Sequence, residues 1–488
     1  MRTISTLLEN LEVKKIIGSL DISVNAIVTD SRRVKAGDLF VAVCGVNVDS
    51  HRFLPEVISA GVSAVVVEQL PERLDNNVTY IVVDNSLIAL GYLASGWYGT
   101  PSGRLKLVGV TGTNGKTTTA TLLYELFRHL GYKTGLLSTV ANYVDNRVVA
   151  STHTTPDSLQ LNALLAEMVE AGCEYAFMEV SSHAAHQHRI AGLHFDGGIF
   201  TNLTRDHLDY HKTVPAYIAA KKSFFDQLPA TAWALVNADD RNGSVMLQNT
   251  QAGRHTYALR SDADYRGRVI ENRLDGMLLQ INGTQVETLF SGLFNAYNLT
   301  AVAGAAILLG VPREEVMVSL SSLVPVAGRF ETLRAPSGQK TAIVDYAHTP
   351  DAVVNLLTTI RDVIGADRAI ITVIGAGGNR DAGKRPIMGR EAARLSDRVI
   401  LTSDNPRDEN PNDIINQMRE GITDESQRAA TIAIVDRAEA IKTAIALAGP
   451  NDVVVVAGKG HETYQEIAGK RHHFDDREII NNQFKMLK

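Results

Sequence analysis

Cysteine is almost absent from this chain of 488 residues, which contains only Cys44 and Cys173. Two cysteines cannot build the network of cross-links that stabilises small secreted domains, and they cannot supply the cysteine set of a common structural zinc site. The sequence therefore predicts neither a disulfide framework nor a cysteine metal site.

Long apolar runs and long basic runs are missing as well. A helix that spans a bilayer needs about 18 consecutive apolar residues, and Met1–Ser5 does not lead into the apolar centre of a signal peptide. We therefore expect a cytoplasmic protein without membrane insertion. The net charge of −6 and the lack of a basic cluster argue against nucleic acid as a partner, so an anionic ligand would need local positive charge.

The length exceeds what one hydrophobic core supports, so the chain should fold as two or three domains. Short apolar runs alternate with stretches of helical spacing along the whole chain, which predicts α/β domains with mainly parallel sheets. Gly99–Gly103 has the composition of a linker, and Val326–Glu331 has that of a hinge. These signals divide the chain into residues 1–100, 101–331 and 332–488.

A glycine-rich stretch, Val108–Thr118, carries the clearest chemical signal. A β-branched apolar run precedes it and leucines at helical spacing follow it, so it joins a strand to a helix. There, backbone N–H groups, the helix N-terminus and Lys116 suit a triphosphate, and the Thr117 hydroxyl suits a Mg²⁺ on the same phosphates. Val110 stands where the general P-loop pattern has glycine, so this motif alone does not identify a family.

Polar clusters follow two later strands. The run Tyr175–Val180 leads into Glu179–His183, and the run Gly198–Thr201 leads into Asn202–His211. Because parallel strands end at one edge of a sheet, both clusters should lie beside the P-loop. A carboxylate at an inward strand end, such as Glu179, is costly unless it meets a cation, and Mg²⁺ would be suitable.

Other polar groups are ambiguous by themselves. The histidines of His183–Arg189 have no cysteine beside them and no common zinc spacing, so hydrogen bonding is the favoured role. Lys221 and Lys222 are typical of a solvated helix face, and Asp30–Arg33 is typical of a solvated turn. Gly375–Gly378 resembles a dinucleotide loop but lacks the acidic ribose ligand that normally follows.

Four motifs together resemble the Mur ligase family in order and spacing over nearly the whole chain: Gly112–Thr118, Met178–His183, Thr201–His211 and Asp345–His348. Within that family the sequence resembles the members that add the third residue to UDP-N-acetylmuramoyl-L-alanyl-D-glutamate. The resemblance implies three domains: a small α/β N-terminal domain for the UDP-muropeptide, a central P-loop mononucleotide-binding sheet for ATP, and a Rossmann-like C-terminal domain for the amino acid.

The resemblance also implies a mechanism. An ATP-dependent, ADP-forming ligase of peptidoglycan precursor synthesis activates a carboxylate as an acyl phosphate, and an amine then attacks it. Since the carboxylate and the γ-phosphate repel each other, fixed positive charge is needed between them. By match to the family, Lys116 holds the phosphates, Thr117 and Glu179 serve one Mg²⁺, Glu179 and His207 serve a second, and Lys221, carrying a carbamate, positions the metal.

The family's substrate contacts map onto specific positions of this chain. For ATP, the loop residues and four later residues match: Gly112, Thr113, Asn114, Gly115, Lys116, Thr117, Thr118, Asn295, Arg329, Asp345 and His348. For the UDP-muropeptide, the matches are Ser31, Thr154, Thr155, Ser181, Gln187 and Arg189.

The choice of amino acid depends on the loop Asp404, Asn405, Pro406 and Arg407. In family members that add meso-diaminopimelate this motif ends in arginine, which is absent from lysine-adding relatives. The chemistry agrees, because the distal end of diaminopimelate carries a carboxylate that lysine lacks, and a guanidinium pairs with a carboxylate in a fork. In the same family pocket, the further matches are Arg380, Gly458 and Glu462.

Two other functions are compatible with parts of the sequence. A folylpolyglutamate synthetase would share the central motifs, but it would not explain the loop that ends in Arg407. A P-loop nucleotide switch would use Lys116 and Thr117 without needing Glu179, His207 or Lys221. The sequence leaves the oligomeric state open.

Overall fold

The computed structural model describes residues 2–45, 48–149, 154–204, 208–336 and 338–486. Three large β-sheets form one after another along the chain, with helices packed on their faces. Among the described residues, no helix is both long and apolar enough to cross a membrane. The α/β class expected from the sequence is confirmed.

The N-terminal part of the chain forms a five-stranded sheet. Its elements are β1 (Arg2–Thr3), α1 (Ile4–Leu7), β2 (Lys15–Ile17), β3 (Ser23–Val24), β4 (Ile27–Val28), β5 (Leu39–Val41), α2 (Leu54–Ser59), β6 (Ala64–Val67), β7 (Thr79–Val82) and α3 (Ser86–Trp97). The strand order is β2-β7-β6-β5-β4, with β4 to β7 parallel and β2 antiparallel at one edge. The alternation of strands and helices predicted for the chain is therefore confirmed in this region.

The central part forms an eleven-stranded sheet. Its elements are β8 (Lys106–Thr111), α4 (Lys116–His129), β9 (Thr134–Leu137), β10 (Asn142–Val144), β11 (Arg147–Val149), α5 (Ser158–Glu170), β12 (Tyr175–Glu179), α6 (Ser182–His186), β13 (Gly197–Phe200), α7 (Leu208–His211), α8 (Val214–Asp226), β14 (Trp233–Asn237), α9 (Gly243–Met246), β15 (Gly253–Ala258), β16 (Tyr265–Arg273), β17 (Gly276–Ile281), β18 (Thr284–Thr288), α10 (Leu293–Leu308) and α11 (Arg313–Ser322).

The interior of this sheet is parallel and its two ends are antiparallel. The order is β11-β10-β9-β12-β8-β13-β14-β15-β16-β17-β18, and the strands from β9 to β16 pair in parallel. Hairpins add β10 and β11 at one end and β17 and β18 at the other, all antiparallel. The prediction of a mainly parallel sheet is confirmed for the interior. It did not include the antiparallel strands at the two ends.

Helix α8 packs close to the central sheet because the strand positions that face it are glycines. A Cβ on Gly109 of β8 would lie 2.6 Å from the Phe224 ring of α8, and one on Gly198 of β13 would lie 2.9 Å from the same ring. Larger residues at either position would push α8 outward, since protein interiors leave no spare volume. Lys221 also lies on α8, so this close packing brings it near the loop after β8.

The C-terminal part forms a six-stranded sheet. Its elements are β19 (Glu331–Arg334), β20 (Thr341–Asp345), α12 (Pro350–Ile364), β21 (Ile370–Ile374), α13 (Lys384–Leu395), β22 (Arg398–Leu401), α14 (Pro411–Glu420), α15 (Glu425–Ala429), β23 (Thr431–Ala433), α16 (Arg437–Leu447), β24 (Val453–Ala457), β25 (Tyr464–Ile467), β26 (Lys470–His473) and α17 (Asp476–Met486). The order is β19-β20-β24-β21-β22-β23, parallel except for β19. The mainly parallel sheet predicted from the alternation of strands and helices is confirmed here.

A buried ion pair fixes the last helix to this sheet. Arg437 at the start of α16 donates from Nε and Nη2 to the two carboxylate oxygens of Asp476 in α17, at 2.8 Å each. Nη2 also donates to the Ala457 carbonyl at the end of β24, at 3.0 Å. Burial opposes the charge of the guanidinium, but Asp476 raises the pKa of Arg437 above its ordinary value. The pair therefore ties α16, α17 and β24 together.

Candidate active site

A cavity of about 710 Å³ opens where the P-loop edge of the central sheet faces the C-terminal domain. Its wall contains most of the predicted site residues of the central domain and three from the hinge region. Those residues are Gly112, Thr113, Asn114, Gly115, Lys116, Thr117, Thr118, Thr154, Thr155, Glu179, Ser181, Arg189, Lys221, Arg329, Asp345 and His348. The structure thus gathers residues that are more than 200 positions apart in the sequence around one space.

Among the described residues, Ser31, Gln187 and Asn295 are predicted site residues that do not line the cavity. His207 lies outside the described residues. Ser31 begins a short turn of the N-terminal domain and does not line the cavity. Asn295 is buried, donates to the Ser291 carbonyl at 2.9 Å, and accepts from Asn298 at 3.3 Å. Asn298, one helical turn further along α10, lines the cavity instead, and only that spacing on the helix could have indicated it.

The P-loop is held in shape by contacts with neighbouring strand ends. Gly112 has φ +148°, and a Cβ there would lie 1.9 Å from Thr201 Oγ1, so no other residue fits. The Thr113 hydroxyl lies 3.1 Å from the Tyr217 hydroxyl and accepts from the Thr204 N–H at 3.0 Å. Lys116 Nζ donates to the carbonyls of Gly112 and Thr113, at 3.0 and 2.8 Å.

Glu179 is a buried carboxylate with one oxygen unsatisfied. Glu179 is 1% exposed, and its Oε1 accepts from the Thr139 N–H at 2.7 Å. Among the described residues no donor reaches Oε2. A buried anionic oxygen without a partner is costly, so this position fits a divalent cation.

The two neighbouring lysines of α8 have different surroundings. Lys221 is 1% exposed, its Nζ donates to the Gly112 carbonyl at 2.7 Å, and it lies 4.7 Å from the centre of the Tyr217 ring. Lys222 pairs with Asp226 one turn along the helix, with Nζ 2.6 Å from Oδ1. The structure therefore brings Lys221, and not Lys222, to the P-loop.

A hydrogen-bonded group at the start of α6 lies on the other side of Glu179. The Thr155 hydroxyl donates to the Glu179 carbonyl at 2.8 Å, and Arg189 Nη1 donates to the Thr155 carbonyl at 2.9 Å. Arg189 Nε and Nη2 both donate to Gln187 Oε1, at 3.0 and 2.7 Å. Burial lowers the pKa of Arg189 below its ordinary value. Gln187 in turn donates to the Tyr210 hydroxyl at 3.0 Å, a contact that the sequence did not indicate.

The hinge residues reach the P-loop from the C-terminal side. Arg329 Nη2 donates to the Thr117 hydroxyl at 3.3 Å, and its guanidinium lies 4.6 Å from the centre of the Tyr346 ring. Asp345 accepts from the Phe330 N–H at 2.7 Å and fixes the hinge. Burial raises the pKa of Asp345, and the neighbouring Arg329 opposes that rise. His348 Nδ1 lies 2.8 Å from the Tyr346 carbonyl oxygen.

The predicted amino-acid residues form a second cluster at the carboxyl ends of β21, β22 and β24. Arg407 has a left-handed backbone with φ +52°, and its Nη1 donates to the Gly378 carbonyl at 2.7 Å. Its Nε lies 3.5 Å from Glu466 Oε2. A Cβ on Gly458 would lie 2.6 Å from Asp404 Oδ2, so the two loops meet closely there.

The remaining members of this cluster lie around that contact. Asn405 Nδ2 donates to Glu462 Oε2 at 2.8 Å, the Pro406 carbonyl packs against Gly378, and Arg380 is exposed. None of these residues lines the 710 Å³ cavity. The connection runs through His461, whose ring lies 5.1 Å from that of Tyr346 in the cavity wall.

A separate polar group in the N-terminal domain involves one of the two cysteines. His51 Nε2 accepts from the Glu68 N–H at 2.9 Å, so its Nδ1 carries the proton and donates to Asp49 at 2.7 Å. Cys44 Sγ donates to Glu68 Oε2 at 3.5 Å, and burial together with Glu68 raises the pKa of the thiol to about 11. These hydrogen bonds occupy the nitrogen and the thiol that a metal would need.

Family models match three successive parts of the chain. They are described as the Mur ligase family catalytic domain at residues 23–98, the Mur ligase middle domain at 110–306, and the Mur ligase glutamate ligase domain at 328–460. The chain belongs to the Mur ligase family. The resemblance seen in the motifs is confirmed, and with it the reaction class, an ATP-dependent, amide-forming, ADP-forming ligase.

Named relatives are similar over nearly their full length. UDP-N-acetylmuramoyl-L-alanyl-D-glutamate–2,6-diaminopimelate ligase of Parabacteroides distasonis is 58% identical, covering 97% of each chain. The ligase of the same name from Phocaeicola vulgatus is 57% identical, covering 98% of each. A solved structure of a ligase with this name is 31% identical, with a TM-score of 0.71, covering 100% of this chain and 99% of the other.

The environment of His461 predicts a measurable effect of pH on stability. Burial, with Arg329 and two other cations nearby, lowers the pKa of His461 from 6.5 to about 3. Between these values the unfolded chain binds a proton that the folded chain does not, so folded-state stability is lost as the pH falls. We expect His461→Gln, which removes this titration, to gain in melting temperature relative to the parent as the pH decreases from 6.5 towards 3.

The control is His472→Gln, because His472 is exposed. Its melting temperature should follow that of the parent across the same pH range. A difference between His461→Gln and the parent that stays constant with pH would contradict the assignment.

Proposed function

We propose that this Mur ligase adds meso-2,6-diaminopimelate to UDP-N-acetylmuramoyl-L-alanyl-D-glutamate in the cytoplasm, with conversion of ATP to ADP and phosphate, as a step of peptidoglycan precursor synthesis. One observation carries the proposal: the glycine-rich loop and a buried carboxylate line the same cavity, and His461, next to Glu462, contacts the Tyr346 ring in its wall. The names of the relatives at 57–58% identity agree with it.

The proposed reaction begins by activating a carboxylate. A carboxylate oxygen of the dipeptide attacks the γ-phosphorus of ATP, the bond to the β,γ-bridging oxygen breaks, and ADP leaves. The amine of the incoming amino acid then attacks the acyl phosphate, and the tetrahedral intermediate expels phosphate and loses a proton. In the first step, Lys116 and the loop N–H groups hold the phosphates in line with the attacking oxygen.

The residues around the loop fit bound Mg²⁺. Thr117 and Glu179 would hold one ion, and Glu179 and His207 would hold a second; Glu179 Oε2 has no donor among the described residues. When bound, Mg²⁺ supplies the positive charge that lets two anions approach each other. We also propose that Lys221 carries a carbamate, which would turn a buried cation beside Gly112 into an anionic group directed at the same region.

The same cavity offers a place for the dipeptide. Arg189 is held by Gln187 and Thr155 near Ser181 and Thr154, and its guanidinium would pair with a carboxylate of the muropeptide. Ser31 would contact the UDP end. We accordingly propose the N-terminal domain, residues 1–100, for the UDP-muropeptide, residues 101–331 for ATP, and residues 332–488 for the amino acid.

For the amino acid, the proposal assigns the distal carboxylate to Arg407 and Arg380, and the distal amino group to Glu462 near Gly458. The backbone of Arg407 is fixed by its N–H, which donates to the Glu466 carbonyl at 3.0 Å, and by its carbonyl, which accepts from the Ala468 N–H at 2.8 Å. Its guanidinium is held by Nη1, which donates to the Gly378 carbonyl at 2.7 Å. A preorganised guanidinium loses little entropy on pairing with a carboxylate.

Phosphate release by the purified full-length protein tests this function. We expect release only when Mg²⁺, ATP, the UDP-linked dipeptide and diaminopimelate are all present, because the acyl phosphate needs the first three and turnover needs the amine. Release that depends instead on a protein partner would favour a nucleotide switch, and release with folate and glutamate would favour a folylpolyglutamate synthetase. Either result would contradict the proposal.

Replacing Arg407 tests the choice of amino acid. We expect Arg407→Ala to reduce the preference for diaminopimelate over lysine by at least about tenfold, the effect of losing charge-assisted hydrogen bonds. The measurement is kcat/KM for each amino acid. Arg419→Ala, at an exposed position of α14, is the matched control and should keep the parent's preference. An unchanged preference in Arg407→Ala would refute the pocket assignment.

Replacing Lys221 tests the proposed carbamate. We expect Lys221→Ala to lose activity by about a hundredfold, as when a fixed charge at a reacting centre is removed, and to recover part of it with formate or acetate. Lys222→Ala is the control, since Lys222 pairs with Asp226. Full activity of Lys221→Ala in bicarbonate-free buffer would contradict the assignment of a carbamate to Lys221.

A further inference from the structure

Lys459 lies between the two loops of the proposed amino-acid pocket and is fully buried, with 0% of its surface exposed. It follows Gly458 in the loop after β24, and it faces the loop after β22 that carries Asn405. Taking an ammonium group out of water is costly unless it is paired and hydrogen-bonded. The contacts of Lys459 show which groups offset the cost of removing its ammonium group from water.

The side chains of Lys459, Asn405 and Glu462 form a closed triangle of hydrogen bonds. Lys459 Nζ donates to Asn405 Oδ1 at 3.1 Å and to Glu462 Oε2 at 3.0 Å. Asn405 Nδ2 completes the triangle by donating to Glu462 Oε2 at 2.8 Å. Each side chain therefore restrains the other two, and the triangle joins the two loops.

The triangle also orients the Glu462 carboxylate. Both donors reach Oε2, and no described residue donates to Oε1. The Glu462 side chain is 15% exposed while that of Lys459 is 0% exposed, so the carboxylate lies on the open side of the lysine. One oxygen is thus committed to the protein, and the other is available to a ligand that carries N–H donors.

The amide of Asn405 is fixed in the same way. Its Oδ1 accepts from Lys459 and also from the Glu466 N–H at 2.9 Å. With the oxygen bound twice, the NH₂ group must face Glu462, so the amide cannot flip without breaking three bonds. A rigid, satisfied network of this kind presents its free acceptor in one direction.

We propose that Lys459 is a positioning residue that holds Glu462 Oε1 ready for the distal amino group of the incoming amino acid. The inference rests on the proposed function, which assigns that amino group to Glu462. Lys459 would act through Glu462 and Asn405 and would not touch the substrate. Loss of Lys459 should therefore weaken binding of the amino acid without affecting the other two substrates.

Steady-state kinetics of Lys459→Met test this inference. We expect KM for diaminopimelate to rise by about tenfold or more, the effect of losing a charged hydrogen-bond partner, while KM for ATP and for the UDP-linked dipeptide stays within about twofold. Lys442→Met is the matched control, because Lys442 makes an exposed pair with Glu439 at 2.9 Å. It should leave all three KM values unchanged.

A double-mutant cycle with Glu462→Gln covers the case in which Lys459→Met does not fold. The variant Lys459→Met/Glu462→Gln buries no unpaired charge, so it should fold, and its melting temperature checks this. If Lys459 acts through Glu462, adding Lys459→Met to Glu462→Gln should change KM for diaminopimelate by less than about twofold.

The outcomes separate the two hypotheses. A further tenfold rise in the double variant, or equal rises of KM for all three substrates in Lys459→Met, would overturn the positioning role. A parent enzyme that releases no phosphate with diaminopimelate would overturn the proposed function itself, whatever the variants show.

Discussion

The parallel pairing of three adjacent strands is the constraint on which the site depends. In the central sheet, β12 aligns Glu179 with Val110 of β8, and β13 aligns Phe200 with Thr111 of β8. The three strands therefore end at the same level, and the loops that follow them must share one space. A shift of β12 by one residue would turn Glu179 to the opposite face of the sheet and remove the buried carboxylate from the P-loop.

Charge around the P-loop is distributed unevenly. Lys116 and Lys221 donate to backbone carbonyls of the loop, and Arg329 donates to the Thr117 hydroxyl. Phosphate oxygens are stronger acceptors than these neutral oxygens, so a bound triphosphate would exchange weaker hydrogen bonds for stronger ones. Glu179 Oε2 is a carboxylate oxygen with no donor among the described residues, so a cation would be stabilised beside it.

The sequence predicted the parts of this site that depend on local pattern. The strand, loop and helix of the P-loop, the strand that ends in Glu179 and the alternation of strands and helices in the C-terminal part all follow from local residue spacing. The antiparallel end formed by β17 and β18 was missed although local signals for it exist, since Asp275-Gly276 and Asn282-Gly283 are dipeptides that favour tight hairpin turns. Asn298 and Lys459 were missed for a different reason: their roles depend on contacts with distant segments, and alone each looks like an ordinary helix or loop residue.

The contact between the cavity wall and the C-terminal cluster is aromatic. The ring of Tyr346 contacts both the Arg329 guanidinium, at 4.6 Å, and the His461 ring, at 5.1 Å. Gly328, with φ +64°, makes room for this arrangement. A Cβ at this position would lie 2.0 Å from the backbone nitrogen of His461. Because burial and neighbouring cations lower the pKa of His461, the stack adds no positive charge beside Arg329. The Tyr346 ring therefore joins the C-terminal cluster to the P-loop side of the cavity through packing.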